Sequence, residues 1–134
     1  MELKTKDKID SYQDLKAWHM AMELVIKSYE IVKQFPKGEQ FWLTSQLQRA
    51  AVSIPANIAE GHGRSYRKEY LRHLSIAKGS LVELETHLQI ANRLGYCNNI
   101  ETKAFLSKTN SIGQMLTGLR KTLESNSSSP SPIP

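Results

Sequence analysis

Apolar residues recur every three or four positions along four stretches of this chain, a spacing typical of amphipathic α-helices. In the first stretch two such stripes lie side by side. One consists of Leu15, Trp18, Met22, Val25, Tyr29 and Val32, and the other of Ala17, Ala21, Leu24, Ser28 and Ile31. Because a surface helix of a monomer needs only one apolar face, we assign the first stripe to the core. The second indicates either broad burial in a bundle or a subunit interface.

Local signals set the ends of this first helix. Ser11 followed by Asp14 matches a capping box, so helix 1 should begin between Tyr12 and Leu15. Phe35 precedes Pro36 and is therefore biased away from the α conformation, which predicts the end of the helix there.

The second helix carries a proline inside its apolar pattern. We expect it to begin between Glu39 and Ser45, with Thr44 as the N-cap. The apolar period runs through Pro55 unbroken, which predicts a kink rather than a stop. The core stripe is Leu43, Leu47, Ala50, Ile54 and Ile58, and a flanking polar stripe is Gln46, Arg49, Ser53, Asn57, Glu60 and Arg64.

A Gly-His-Gly segment at 61–63 predicts a tight reversal into the third helix, since glycine tolerates positive φ. Ser65 can cap helix 3, and Gly95 fits the C′ position at its end. The apolar stripe of helix 3 is Tyr70, Leu74, Ala77, Leu81, Leu84, Leu88 and Ala91.

Asn98 with Glu101 offers a cap for helix 4, whose stripe is Phe105, Thr109, Ile112, Leu116, Leu119 and Leu123. Four helices with short connections and no strand pattern predict an all-α, up-down-up-down antiparallel four-helix bundle over residues 11–124. We interpret residues 1–10 as a flexible arm and residues 125–134, rich in Ser and Pro, as a disordered tail.

Composition narrows the class of protein. The 134 residues fit one domain, and 40% of them are hydrophobic. A single cysteine, Cys97, and a start without a signal-peptide pattern favour the cytoplasm. No apolar run is long enough to span a membrane. A net charge of +5 favours an anionic partner.

That charge is concentrated at the start of helix 3. Residues 61–78 contain five Lys or Arg and one acid, Glu69. The five cations fall within about 140° of a helical projection. They form either a solvated face or a phosphate-binding strip with Tyr66 and Tyr70 close by for stacking. We name as nucleic-acid-binding candidates Arg49, Arg64, Arg67, Lys68, Arg72 and Lys78.

Catalytic and metal-binding patterns are not found. A bundle di-iron site needs Glu-x-x-His, which the chain lacks. Pairs at i, i+4 are more simply hydrogen-bonded pairs on a helix surface, and Cys97 has no adjacent base in sequence. We therefore predict no catalytic residue, no metal and no cofactor. The pairs in question are His19 with Glu23, Glu69 with His73, and Glu83 with His87.

The polar residues around Pro55 have a structural interpretation. Asn57 and Glu60 are placed to satisfy the carbonyls that the proline frees and to cap the following turn, although a role in an oligomer groove stays open. The structural motif is Ser53, Pro55, Asn57, Glu60 and Gly61.

Residues 53–64 (SIPANIAEGHGR), with 46–51, 77–85 and the opening 12–18, resemble the four-helix-bundle family that includes the 23S rRNA intervening-sequence proteins. The resemblance covers residues 11–124. It implies a small bacterial protein whose helical hairpins assemble into a homopentameric ring. Distant relatives are the accessory variability proteins of diversity-generating retroelements, which are thought to bring nucleic acid to a reverse transcriptase.

Together these observations predict a non-catalytic, oligomeric accessory protein that binds structured RNA or RNA/DNA by its backbone through the basic strip, with a reverse transcriptase as a candidate partner. The alternative is a protein-interaction scaffold in which the strip is only solvated.

Overall fold

The computed structural model of the chain describes residues 11–64 and 66–125, and this part of the chain is all-α, with no strand. Its four helices are α1 (Lys16–Ile31), α2 (Leu43–His62), α3 (Arg67–Arg93) and α4 (Asn99–Ser125). The prediction of four helices is confirmed. The predicted arm, the predicted cap Ser65 and the predicted tail beyond Ser125 lie outside the described residues, and α4 takes in the first residue assigned to that tail.

Contacts between side chains fix an antiparallel arrangement. Ser80 Oγ donates to Ser53 Oγ at 2.8 Å, and His73 bonds Asn57. The residue that is later in α2 thus pairs with the residue that is earlier in α3, so the two helices run in opposite directions. Lys78 Nζ donates to Thr117 Oγ1 at 3.1 Å across α3 and α4.

Gln34 Nε2 donates to Glu101 Oε2 at 2.8 Å, which places the end of α1 beside the start of α4. The connectivity is therefore up-down-up-down. The α2–α3 turn, Ser11 and Ser125 all lie at one end of the bundle, which we call the turn end. The α1–α2 and α3–α4 connections lie at the opposite end, the loop end.

The core is built from the apolar stripes of all four helices. The stripes predicted for α2, α3 and α4 are buried, except that Leu43 and Leu119 are partly exposed. Removing such apolar surface from water contributes about 25 cal/mol per Å². The largest fully buried side chains are Leu24, Leu47, Ile54, Ile58, Leu74, Leu84, Leu88, Ile112 and Leu116.

In α1 the second stripe is buried, which was one of its two interpretations, whereas the first stripe is only partly in the core. Ala17, Ala21 and Ser28 are buried, whereas Met22 and Tyr29 are exposed. The hydroxyl of buried Ser28 is satisfied by donating to the Leu24 carbonyl at 2.8 Å. In the bulkier stripe, Leu15, Trp18 and Val25 are partly buried against the core, and Val32 is buried.

Helix α1 begins later than predicted, whereas α2 begins at Leu43, within the predicted range, but without the predicted cap. The capping box of Ser11 and Asp14 is present, but it closes a short 3-10 helix, Tyr12–Asp14. Extended Leu15 follows, so α1 begins at Lys16. Helix α2 has Trp42 at its N-cap position, and the predicted cap Thr44 lies inside the helix.

The α3–α4 connection follows its prediction. Gly95 has φ of +81° directly after the C-cap Leu94. The Glu101 backbone N–H donates to Asn98 Oδ1 at 2.8 Å, and the Asn98 N–H donates to Glu101 Oε1 at 3.4 Å. This reciprocal pair is the expected capping box.

Gly61 has a different role from the one predicted. Helix α2 continues through Pro55 to His62, and in the described part of the chain only Gly95 has positive φ. A Cβ at Gly61 would lie 2.7 Å from His73 Cβ and 3.1 Å from Tyr70 Cδ1. Glycine is required because α3 passes so close to α2, not because the chain turns there.

Candidate nucleic-acid interface

The basic strip begins at the turn end. Lys68 and Arg72 are exposed on the first turns of α3, Arg64 is exposed at the end of the α2–α3 turn, and Arg67 is half-buried. Lys78 is exposed about 15 Å further along α3. Four of these side chains therefore lie on α3, and Arg64 lies in the turn before it, where the helical projection used in the prediction does not apply.

Two acids already contact the strip. Arg64 Nη2 lies 2.6 Å from Glu60 Oε2, and Arg72 Nη2 lies 3.3 Å from Glu69 Oε1. The hydrogen bond from Arg64 is the largest cause that holds the pKa of Glu60 below its ordinary value. Exposed ion pairs of this kind contribute little to stability, so a phosphate can compete for both arginines. The Lys68 ammonium has no partner among the described residues.

Arg49 lies apart from the other candidates. The Ser53–Ser80 and Asn57–His73 contacts set the α2–α3 register, which places Arg49 level with residues near 84 of α3. That level is about 24 Å along the bundle from Lys68 and about 9 Å from Lys78. Arg49 is exposed, but it lies on α2, whereas the strip follows α3.

Helix α4 adds cations that the sequence analysis missed. Arg120 donates to Ser75 Oγ, between Arg72 and Lys78, and exposed Lys121 follows it. Arg120 also lies 3.7 Å from Glu124. The antiparallel order of the helices could have indicated this, since it brings the end of α4 beside the start of α3.

The two tyrosines proposed for stacking differ. Tyr66 is 56% exposed beside the strip, but Tyr70 is only 4% exposed and cannot stack on a base. Burial raises the pKa of Tyr70 to about 12, and its hydroxyl has no hydrogen-bond partner among the described residues. The ring packs edge-on against His62. Burial lowers the pKa of His62.

A chain of partly buried polar groups joins α2 to α3. Asn57 Nδ2 donates to the Ser53 carbonyl at 2.9 Å and to Ser53 Oγ at 3.0 Å. Asn57 Oδ1 lies 3.0 Å from Nδ1 of buried His73. Pro55 frees the carbonyl of Ala51, and Asn57 was predicted to satisfy it. That prediction is wrong, because the Asn57 amide bonds the Ser53 carbonyl instead. The same amide bridges the two helices.

Two of the predicted surface pairs of a histidine with a glutamate also need correction. His73 is buried rather than exposed, and its Nε2 lies 3.8 Å from Glu60 Oε2 and 3.3 Å from Arg72 Nη2. His19 Nε2 contacts the Gln13 carbonyl at 2.7 Å. The missed signal was that His73 is three residues after Tyr70, on the buried face of α3.

Within residues 11–64 and 66–125, no three His, Cys, Asp or Glu side chains are grouped so that they could hold a metal ion. In the same part of the chain, no helix has the length and apolar character needed to cross a membrane.

The fold and the strip define a class of protein, an antiparallel four-helix bundle with a basic turn end. The family model described as 23S rRNA-intervening sequence protein matches residues 13–118. The chain belongs to this family.

A solved structure supports the fold. The chain is similar to a protein of unknown function from the S23 ribosomal protein family of Bacteroides thetaiotaomicron, with a TM-score of 0.73 and 22% identity. The match covers 78% of this chain and 98% of the other. No curated protein matches the sequence.

Proposed function

We propose that the protein is a non-catalytic, cytoplasmic accessory protein that binds structured RNA or an RNA/DNA hybrid through the basic strip. It uses no cofactor and acts as a homo-oligomeric ring, a pentamer by resemblance to its family. A reverse transcriptase is the candidate protein partner. The observation that carries the proposal is the row of exposed cations at the turn end, in which Lys68 lacks a partner among the described residues and both arginine pairs are exposed.

Recognition in this proposal depends on phosphates. Arginine and lysine neutralise backbone charge and release counterions, which gives affinity without reading sequence. Tyr66 adds an exposed ring on which one base can stack. The strip should therefore bind unrelated sequences with similar affinity.

Exposed apolar side chains support the oligomer. Ile26 is 59% exposed on α1 between Met22 and Tyr29, which are also exposed. Three contiguous helical turns thus present apolar surface to solvent, and such patches mark contact sites in proteins. Ile76, Ile90 and Leu94 are exposed on α3 as well.

A protein-interaction scaffold is the second candidate function. Phe41 and Trp42 are 79% and 72% exposed in the α1–α2 connection, at the loop end. Two neighbouring exposed aromatic residues are typical of an anchor for a protein partner. They lie far from the strip, so the two functions can be separated by mutation.

The test is a double charge reversal, Lys68→Glu with Arg72→Glu. Its control is Lys33→Glu with Lys103→Glu, which makes the same change in net charge with exposed lysines at the loop end. Fluorescence anisotropy should show weaker binding of unrelated RNA and DNA sequences by the strip variant alone. The slope of log K against log salt should fall by about 0.7 to 0.9 for each phosphate that the variant no longer neutralises.

Light scattering on the same samples should show a homopentamer for all three proteins, because the changed residues are exposed and polar. Unchanged affinity in a strip variant that still assembles would reject nucleic-acid binding in favour of the scaffold. A monomeric wild-type protein would reject the ring.

A further inference from the structure

A groove of about 450 Å³ runs between α3 and α4 and opens to solvent. Its volume falls within the range of about 300 to 1,000 Å³ that is usual for ligand sites. Lys78 and Lys121 line the groove toward the turn end, Glu85 lines it toward the loop end, and Asn110, Gln114 and Gly118 lie between them.

Gly118 lines this groove, and there is open space beside it. A Cβ at Gly118 would meet no atom within 4 Å, so no packing contact in the bundle requires glycine there. Glycine inside a helix costs about 1 kcal/mol relative to alanine. The residue therefore leaves room at the groove at the expense of α4 stability.

Three of the polar side chains that line the groove are unengaged, whereas Lys78 donates to Thr117 Oγ1. The side chains of Asn110, Gln114 and Lys121 form no hydrogen bond or ion pair within residues 11–64 and 66–125. Primary amides carry both donors and acceptors and match the edge of a nucleobase. Glu85 is engaged, because it accepts from Thr109 Oγ1 at 2.5 Å.

The groove continues the basic strip. Lys78 belongs to both, and the contact between Arg120 and Ser75 lies between Arg72 and the groove. A backbone that follows Lys68 and Arg72 along α3 reaches the lysine end of the groove next. The charge therefore favours a phosphate at that end, with the base further in beside the amides.

A second groove, of about 320 Å³, lies between α1 and α4 and has no separate basic end. Lys27 and Lys108 alternate there with Glu30 and Glu101. Gln34 hydrogen-bonds Glu101 across it. With both signs of charge mixed, it offers no preference for an anion.

We propose that the α3–α4 groove holds one unpaired nucleotide of the bound nucleic acid, with its phosphate at Lys78 and Lys121 and its base edge at Asn110 and Gln114. The inference rests on the proposed nucleic-acid binding and deepens it. A continuous duplex cannot insert a base, so the groove gives preference to single strands, loops and bulges.

The test fills the groove without disturbing the core. Gly118→Leu places a side chain in the opening, and Gly118→Ala is the control that gains the same helix preference but fills little space. The probes are a short single-stranded RNA without self-complementarity and the same sequence as a blunt duplex. Wild type should prefer the single strand, and Gly118→Leu should lose about tenfold of that affinity while duplex binding stays unchanged.

Asn110→Ala with Gln114→Ala should weaken single-strand binding in the same direction, since the base edge loses its partners. Equal single-strand affinity for Gly118→Leu and Gly118→Ala would overturn the inference and leave strip binding intact. A change of oligomer mass in Gly118→Leu alone would also overturn it, because a neighbouring subunit would then cover the groove. If the wild-type protein bound neither the single strand nor the duplex, the proposed function itself would be rejected.

Discussion

Helix α3 meets α2 and α4 in opposite ways. Toward α2 it packs more extensively, with Gly61 against His73 and Tyr70 and with a chain of partly buried polar groups. Toward α4 it leaves a groove in which Gly118 faces open space and several polar side chains are unengaged. The first interface specifies how the helices fit together, and the second has room for a ligand. Substitutions should therefore affect stability at the first interface and binding at the second.

The largest expected effect is at Gly61. Gly61→Ala would put a Cβ 2.7 Å from His73 Cβ, and that atom cannot rotate away. Overpacking of this kind should lower the free energy of unfolding by about 2 to 3 kcal/mol. Urea denaturation measures the change.

Gly79→Ala is the matched control at an exposed position of α3. A Cβ there meets nothing within 4 Å, so the variant should gain up to about 1 kcal/mol from helix preference. If Gly61→Ala were as stable as Gly79→Ala, the close approach of α2 and α3 would not limit the fold.

A somewhat smaller effect is expected at the polar chain. His73→Leu removes the partner of Asn57 Oδ1 and leaves it unsatisfied, which should cost about 2 kcal/mol. His87→Leu is the control, because His87 lies on the same helix and its side chain has no such partner within residues 11–64 and 66–125. Adding Asn57→Leu to His73→Leu should restore part of the stability, and strict additivity of the two substitutions would contradict a direct coupling.

The smallest effect concerns Tyr70 and carries a pH dependence. Its folded pKa of about 12 exceeds the unfolded value of about 10. The stability due to neutral Tyr70 is thus complete below about pH 10 and is lost as the pH rises through about 12. Tyr70→Phe should therefore lose about 1 kcal/mol less than wild type between about pH 9 and about pH 11.

At neutral pH the same variant should be at least as stable as wild type, because the buried hydroxyl lacks a partner in the described part of the chain. Tyr96→Phe is the contrasting case. It removes a hydrogen bond of 2.8 Å to Glu39 and should reduce stability. A large loss of stability in Tyr70→Phe would show that the hydroxyl is bonded.

The sequence predicted α3 and α4 well because each has one apolar stripe and clear end signals such as Gly95 and Asn98. In α1 the sequence left the burial of the second stripe open, because two adjacent stripes are both apolar and periodicity cannot say which one faces inward. The answer depends on where the neighbouring helices lie.

The same limit applies to the candidate site. The cations of α3 are adjacent in sequence and could be found there, and their binding role stays a prediction. Arg120 and the groove depend on the α3–α4 register, which no local pattern reports. The prediction gave Gly61 the wrong role. A sequence cannot distinguish a glycine that is needed because another helix lies close from one that is needed for positive φ.

The up-down-up-down order has a practical consequence for anyone who attaches a label or a second protein. Ser11 and Ser125 both lie at the turn end, as do Arg64 and Lys68, so a fusion made directly at either serine leaves the bundle at the end where the strip begins. A polyhistidine tag joined there would add charge near the surface whose salt dependence is to be measured. A reporter inserted at Gly95, at the loop end, would instead be separated from Lys68 by nearly the full length of α3.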